Sequence, residues 1–190
     1  MARNMEQGGG ARRRNRWSLA IWGTAGCLLL LPAIAMRFPG SGVDWDARDF
    51  ITMGVMFTIA CGSYELATRL SDSVAYRAAA GIAIVTAFLT VWVNLAAGML
   101  GSERNPDNLL FGGVLAIGLA GALVARFRPQ GMARAMHATA AAQAAMALYA
   151  LFGGYAEVTL HVALFAIPWL VSAQLFRKAA REQAAPGNVD

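Results

Sequence analysis

Residues 78–100 read AAAGIAIVTAFLTVWVNLAAGML, 23 positions from Ala78 to Leu100 without one Asp, Glu, Lys or Arg. As a helix this run extends about 35 Å at roughly 1.5 Å per residue, enough to cross a hydrocarbon layer about 30 Å thick. An uncharged apolar stretch longer than about 18 residues has no comfortable place in a small water-soluble domain. Five more stretches qualify: Trp17 to Met36, about Phe50 to Leu66, Leu109 to Ala125, Ala135 to about Phe152, and Leu160 to Phe176. The connections are short, about 6 to 14 residues, as expected between antiparallel neighbours. The pattern predicts an all-α integral membrane bundle of six transmembrane helices over 17–177. A basic segment without fixed structure, 1–16, precedes it, and a tail, 178–190, follows it.

Composition supports this. Hydrophobic residues make up 57% of the 190 positions and charged residues only 14%, against the usual soluble share of about 25% charged. So much apolar surface exceeds what one compact core of this length can hide. Two cysteines exclude a disulfide scaffold. The net charge of +5 does not point to nucleic acid. The basic residues fall in short clusters between apolar runs and leave no basic face to track phosphates. Arg outnumbers Lys 15 to 1 and alanine is about a fifth of the chain, a bias associated with high-GC bacterial genomes.

The clusters also orient the chain. With the N-terminus in the cytoplasm, the inner segments hold Arg3, Arg12, Arg13, Arg14, Arg16, Arg69, Arg77, Arg126, Arg128, Arg134, Arg177, Lys178 and Arg181. The outer segments hold Arg37, Arg48 and Arg104. This asymmetry follows the positive-inside rule, and an even number of spans puts both termini in the cytoplasm. The expected location is the bacterial inner membrane. Trp17, Tyr64 and Tyr76 near inner ends, and Trp45, Phe50 and Tyr155 near outer ends, fit aromatic belts. Ala33-Ile34-Ala35 has the small-x-small form of a cleavage site. Pro32 and Arg37 flank it awkwardly, so the first span is read as retained.

Ionisable and amide side chains within spans are costly and are the natural functional candidates. Glu65 is the single acid inside a span. It lies about 22 Å along the second helix, near the inner interface, with Arg69 four residues on as an expected intrahelical partner. Asn94 lies near the outer end of the third helix and Gln143 near mid-depth in the fifth. Both are expected to hydrogen-bond across helices. Three different depths argue against one midplane transport site. His137 and His161 are expected at opposite membrane faces, which excludes a shared haem or zinc. Cys27 and Cys61 are expected at similar depth as packing residues. Pro168 predicts a kink in the sixth span. Gly113, Ala116 and Ala120 on the fourth helix, with the pairs Ala138/Ala142 and Ala141/Ala145 on the fifth, predict close packing of these two helices.

The connection Gly101-Ser102-Glu103-Arg104-Asn105-Pro106-Asp107-Asn108 is the most distinctive polar stretch. Asn-Pro favours a turn, and Asp107 or Asn108 is expected to cap the fourth helix. Glu103 and Asp107 are expected to join Asp44, Asp46 and Asp49 around an acidic outer mouth. No nucleophile, dinucleotide, phosphate-loop or zinc motif occurs. No catalytic residue, cofactor or metal is assigned.

The run VWVNLAAGMLGSERNPDN over 91–108, with ARFRPQGMAR over 125–134, resembles a family of uncharacterised bacterial polytopic inner-membrane proteins. The resemblance covers about the third to fifth spans. It implies location and helical topology, and carries no activity, cofactor or site residue. Three functions are then open. The first is a non-enzymatic accessory or interaction subunit, contacting the bilayer and a membrane-protein partner or a second copy. The second is a small-solute or cation transporter or channel using Glu65, Asn94 and Gln143. The third is a membrane enzyme acting through Glu103 or Asp107.

Overall fold

In the computed structural model, residues 3–185 are described, with side chains from Ser18 onward. The described chain is all-helical: α1 (Arg3–Ala35), α2 (Ala47–Leu70), α3 (Val74–Ala96), α4 (Leu110–Val124), α5 (Pro129–Phe152), α6 (Thr159–Leu164) and α7 (Ala166–Ala184). Single 3-10 turns, Pro106–Leu109 and Ala156–Val158, precede α4 and α6. Six segments are long and apolar enough to cross a membrane: Ser18–Ala35, Ala47–Leu70, Val74–Ala96, Pro106–Val124, Pro129–Phe152 and Ala156–Ala184. All six expected spans are present, and the protein is a multi-pass transmembrane helical protein. Its large apolar side chains face outward, Leu119 at 63% and Val124 at 85% exposure among them. That distribution suits lipid as the solvent, because a water-soluble chain would bury them.

The helix ends differ from the hydropathy pattern where short-range chemistry overrides it. α3 is shifted about one turn towards the N-terminus. It starts after Ser73, whose Oγ accepts from the Tyr76 amide at 3.3 Å. It stops at Ala96 because Gly98 takes a φ of +72°, and a Cβ there would overlap the Ser102 carbonyl. Met99 and Leu100, apolar enough to pass for helix, fold back and are buried. α5 begins at Pro129, six residues before the apolar run, with proline at a position where no amide donor is required. The backbone of α1 is helical from Arg3, ahead of the first apolar run.

The chain divides into two compact units, Met1–Glu65 and Leu66–Asp190. In the first, Trp22 meets Glu65 and Leu29 lies beside Gly54, so α1 and α2 run antiparallel. The start of α2 carries two reinforcing devices. Asp46 Oδ1 accepts from the amides of Arg48 (2.7 Å) and Asp49 (3.1 Å), while Asp49 Oδ2 accepts from the Asp46 amide at 2.9 Å. This is a reciprocal capping box. The flanking Trp45 and Phe50 rings meet edge-on with centroids 5.3 Å apart, a staple across the same turn. Both cysteines are free; Cys61 is buried and Cys27 exposed.

In the second unit α5 is central, packed on α4, α6 and α7, and α7 also packs on α3. One cluster joins Tyr76, Ala79, Met136, Trp169, Ala173 and Phe176. The other joins Met99, Leu100, Phe111, Val114, Met146 and Val162. Small residues set the spacing: Ala79 and Ala173 are fully buried, and Ser172 Oγ donates to the Ala79 carbonyl at 2.9 Å. The last span breaks at Phe165, between α6 and α7. Pro168 accounts for this, since it has no amide for the Leu164 carbonyl and its ring crowds that group.

α4 and α5 pack closely as expected, but through other faces. Gly118 lies against Thr139, and a Cβ on Gly121 would stand 2.7 Å from the Ala135 Cβ. Gly113, Ala116, Ala120, Ala138, Ala141 and Ala145 are exposed, and Ala142 is half-buried. In helices this rich in alanine every face carries small residues at helical spacing. The buried face of α4 is instead the one that carries Phe111, Val114, Gly118 and Ala122.

The turn from α4 to α5 has two successive non-glycine residues in the left-handed region, Arg126 (φ 49°) and Phe127 (φ 58°). The Tyr76 hydroxyl on α3 donates to the Phe127 carbonyl at 2.9 Å and holds that turn.

Candidate functional site

The polar residues within the spans are tied mainly to helix backbone. On α3 a ladder climbs at four-residue spacing: Thr86 Oγ1 donates to the Ile82 carbonyl, Thr90 Oγ1 to Thr86, and Asn94 Nδ2 to Thr90, at 2.7–2.8 Å. Asn94 thus satisfies its donor within its own helix, contrary to the expected bond across to another. Gln143 does cross. It is fully buried, and its Nε2 donates to the Val162 carbonyl of α6 at 3.0 Å. The acceptor oxygens Asn94 Oδ1 and Gln143 Oε1, and the Trp169 indole N–H, are buried without a hydrogen-bond partner among the described residues. Glu65 lies in the first unit, where its Oε2 accepts from Trp22 Nε1 at 3.4 Å.

The Gln143–Val162 bond and the Tyr155 amide bond to the Ala150 carbonyl give one antiparallel register. It sets His161 level with residue 144, seven positions, or about 10 Å, from His137. The expected separation by most of a bilayer is therefore too large. The α6 segment runs back along α5. His137 is half-buried and His161 exposed, and no group of three or more metal-ligating side chains occurs among the described residues.

The 97–109 connection is knitted by its asparagines. Asn105 Nδ2 donates to the Leu100 carbonyl and its Oδ1 accepts from the Asp107 amide, both at 3.0 Å. Asn108 accepts from the Leu100 amide at 3.0 Å and donates to the Ser102 carbonyl at 2.6 Å. The cap ahead of α4 is therefore Asn105, not Asp107 or Asn108. The clasp on both backbone groups of Leu100 presses that side chain into the core. Asp107 turns outward instead. Its Oδ2 accepts from the hydroxyls of Tyr149 at 2.8 Å and Tyr155 at 2.9 Å. The two rings lie 6.4 Å apart at 34°. Glu103 is exposed. Of the acids expected around an outer mouth, Asp46 and Asp49 are engaged in capping α2 and Asp107 with tyrosines.

Asp107, Tyr149 and Tyr155 form a polar constellation that the fold assembles from three segments. The tyrosines escape sequence reasoning, which has no pair spacing to find them. The available signal is topological: an antiparallel hairpin returns the end of α5 to the start of α4, and a tyrosine there can reach an acid before the first turn.

Comparison with protein-family models, curated proteins and solved structures finds no match in any of the three. The chain is thus placed by its own features as a multi-pass membrane protein with six candidate spanning helices, and no family is identified.

Proposed function

We propose that the chain is a non-enzymatic accessory or interaction subunit of a bacterial inner membrane, with both termini in the cytoplasm. One observation carries the reading. Six hydroxyl and amide donors inside the spans, on Thr86, Thr90, Asn94, Thr139, Gln143 and Ser172, are engaged by backbone carbonyls of this chain. Gln143 and Ser172 fasten helices to one another, the other four bond back to their own helix, and none of the six donors is left for a passing solute. The arginine asymmetry supports the orientation. The partner in this reading is another membrane protein or a second copy, met within the bilayer.

The buried, unpartnered oxygens of Asn94 and Gln143 favour a second reading, a small-solute or cation transporter or channel in which they face a path. Two measurements separate the readings. Crosslinking before mild-detergent purification yields a stoichiometric membrane partner or a homo-oligomer under the first. Under the second, purified protein in liposomes passes cations or small solutes, and the flux disappears in Glu65→Gln. A flux of that kind overturns the first reading. A reporter fused after Arg181 that faces the periplasm overturns the orientation.

A further inference from the structure

Asp107 is a carboxylate whose contacts with this protein fall on one oxygen. Both phenol hydrogens converge on Oδ2, and no donor reaches Oδ1 among the described residues. No Lys or Arg of the described residues pairs with it either. The group is partly accessible: Tyr149 is 40% exposed, and Asp107 and Tyr155 are half-buried. The two rings lie beside one another, centroids 6.4 Å apart at 34°, with both hydroxyls on the carboxylate, and a ring face attracts a cation within about 6 Å of its centroid. All three residues lie where tyrosines accumulate, at the end of a spanning segment.

A hard metal ion is held by carboxylates, carbonyls and water, and gains nothing from aromatic rings. Here there is one free carboxylate oxygen, and the phenol hydrogens are already directed at its twin. An organic ammonium needs less: one anionic oxygen for the charge and aromatic faces for its N–H or N–CH groups. We propose that Asp107, Tyr149 and Tyr155 form a binding site for an organic ammonium group, carried by an ethanolamine or choline lipid headgroup or by a free alkylammonium. The proposal does not rest on the accessory-subunit reading, and either source satisfies the same chemistry.

The test uses the full chain in nanodiscs. In phosphatidylglycerol discs, ethylammonium and tetramethylammonium chloride are titrated by calorimetry, with sodium chloride at equal ionic strength as control. In mixed phosphatidylethanolamine and phosphatidylglycerol discs, lipid retained after detergent extraction is read by native mass spectrometry. Saturable binding of an ammonium cation assigns a solute, and selective ethanolamine-lipid retention assigns a headgroup. Either signal falls at least tenfold in Asp107→Asn. Because that variant can loosen the loop, Tyr149→Phe and Tyr149→Leu supply a second criterion. Both remove the bond to Asp107, and only leucine removes the ring. Phenylalanine keeps binding within threefold of the parent and leucine loses at least tenfold. Absence of both signals, equal competition by sodium, or equal loss in the two Tyr149 variants overturns the site.

Discussion

Gly98→Ala is expected to be among the more damaging single-methyl additions in the second unit, and Gly101→Ala supplies its control. Both glycines have left-handed backbone, φ +72° and +83°. An alanine in that region costs about 1–2 kcal/mol at either position. Their surroundings differ. At Gly101 an added Cβ meets nothing within 4 Å, whereas at Gly98 it meets the carbonyl of Ser102 and the amide of Glu103. Backbone cannot swing aside like a side-chain tip, so the 98–102 loop must open. Opening it breaks the Asn105 and Asn108 clasp and withdraws Leu100, 1% exposed, from its cluster. Losing the packing of one such leucine costs about 2 kcal/mol or more. Gly98→Ala should therefore destabilise by about 3–4 kcal/mol and Gly101→Ala by about 1–2. Unfolding in detergent, followed by steric trapping or by titration with dodecyl sulfate, reads the difference. Equal losses in the two variants would refute the close-approach argument and leave only the φ term.

Other expectations follow from the helix contacts. Gly121→Leu, aimed at Ala135, should destabilise by about 1–3 kcal/mol, while Ala120→Leu on the exposed face of the same helix should change stability by less than about 0.5; thermal melts of the two compare them directly. Ser172→Ala should cost only about 0.6 kcal/mol, the usual worth of one interhelical hydrogen bond in a membrane, measured by the same unfolding assay. Asp46→Ala should remove about 1 kcal/mol by opening the capping box of α2, with faster amide exchange at residues 48 and 49 as the local signature. Pro168→Ala should return a donor to the Leu164 carbonyl and join α6 to α7, seen as helical carbon shifts at 164–166 by solid-state NMR.

The six spans were legible because hydropathy sums over some twenty residues, so a misread position or two hardly matters. Helix ends were less so. Gly98 and Ser73 act through one dihedral and one hydrogen bond, and the apolar Met99 and Leu100 point the wrong way for anyone counting hydrophobicity. The α4–α5 pairing was legible but its face was not, since Ala116 and Ala120 satisfy the small-residue pattern as well as Gly118 and Gly121 do. Pro168 predicted a break in the right segment, one turn ahead of itself, because its steric effect falls on the preceding carbonyls. Asp107 stood out as a residue, but its tyrosines are 42 and 48 positions away. Only the antiparallel return of α5, at the observed register, brings them within reach. Gln143 was correctly read as an interhelical donor, whereas Asn94 was not: Thr90, four residues back, offers it a carbonyl on its own helix.

The Arg126–Phe127 turn bears on the order of assembly. Two side-chain-bearing residues in the left-handed basin make the α4–α5 hairpin reluctant to close unaided, by roughly 1–2 kcal/mol apiece. The tyrosine that receives it belongs to α3, which leaves the ribosome first, so the latch is waiting when the turn emerges. α7 arrives last, and with it the wedge between α3 and α5 that makes the closure permanent. A nascent chain halted before α7 would hold its hairpin by the α4–α5 contacts and the Tyr76 bond, without the packing that ties α5 to α3 through α7.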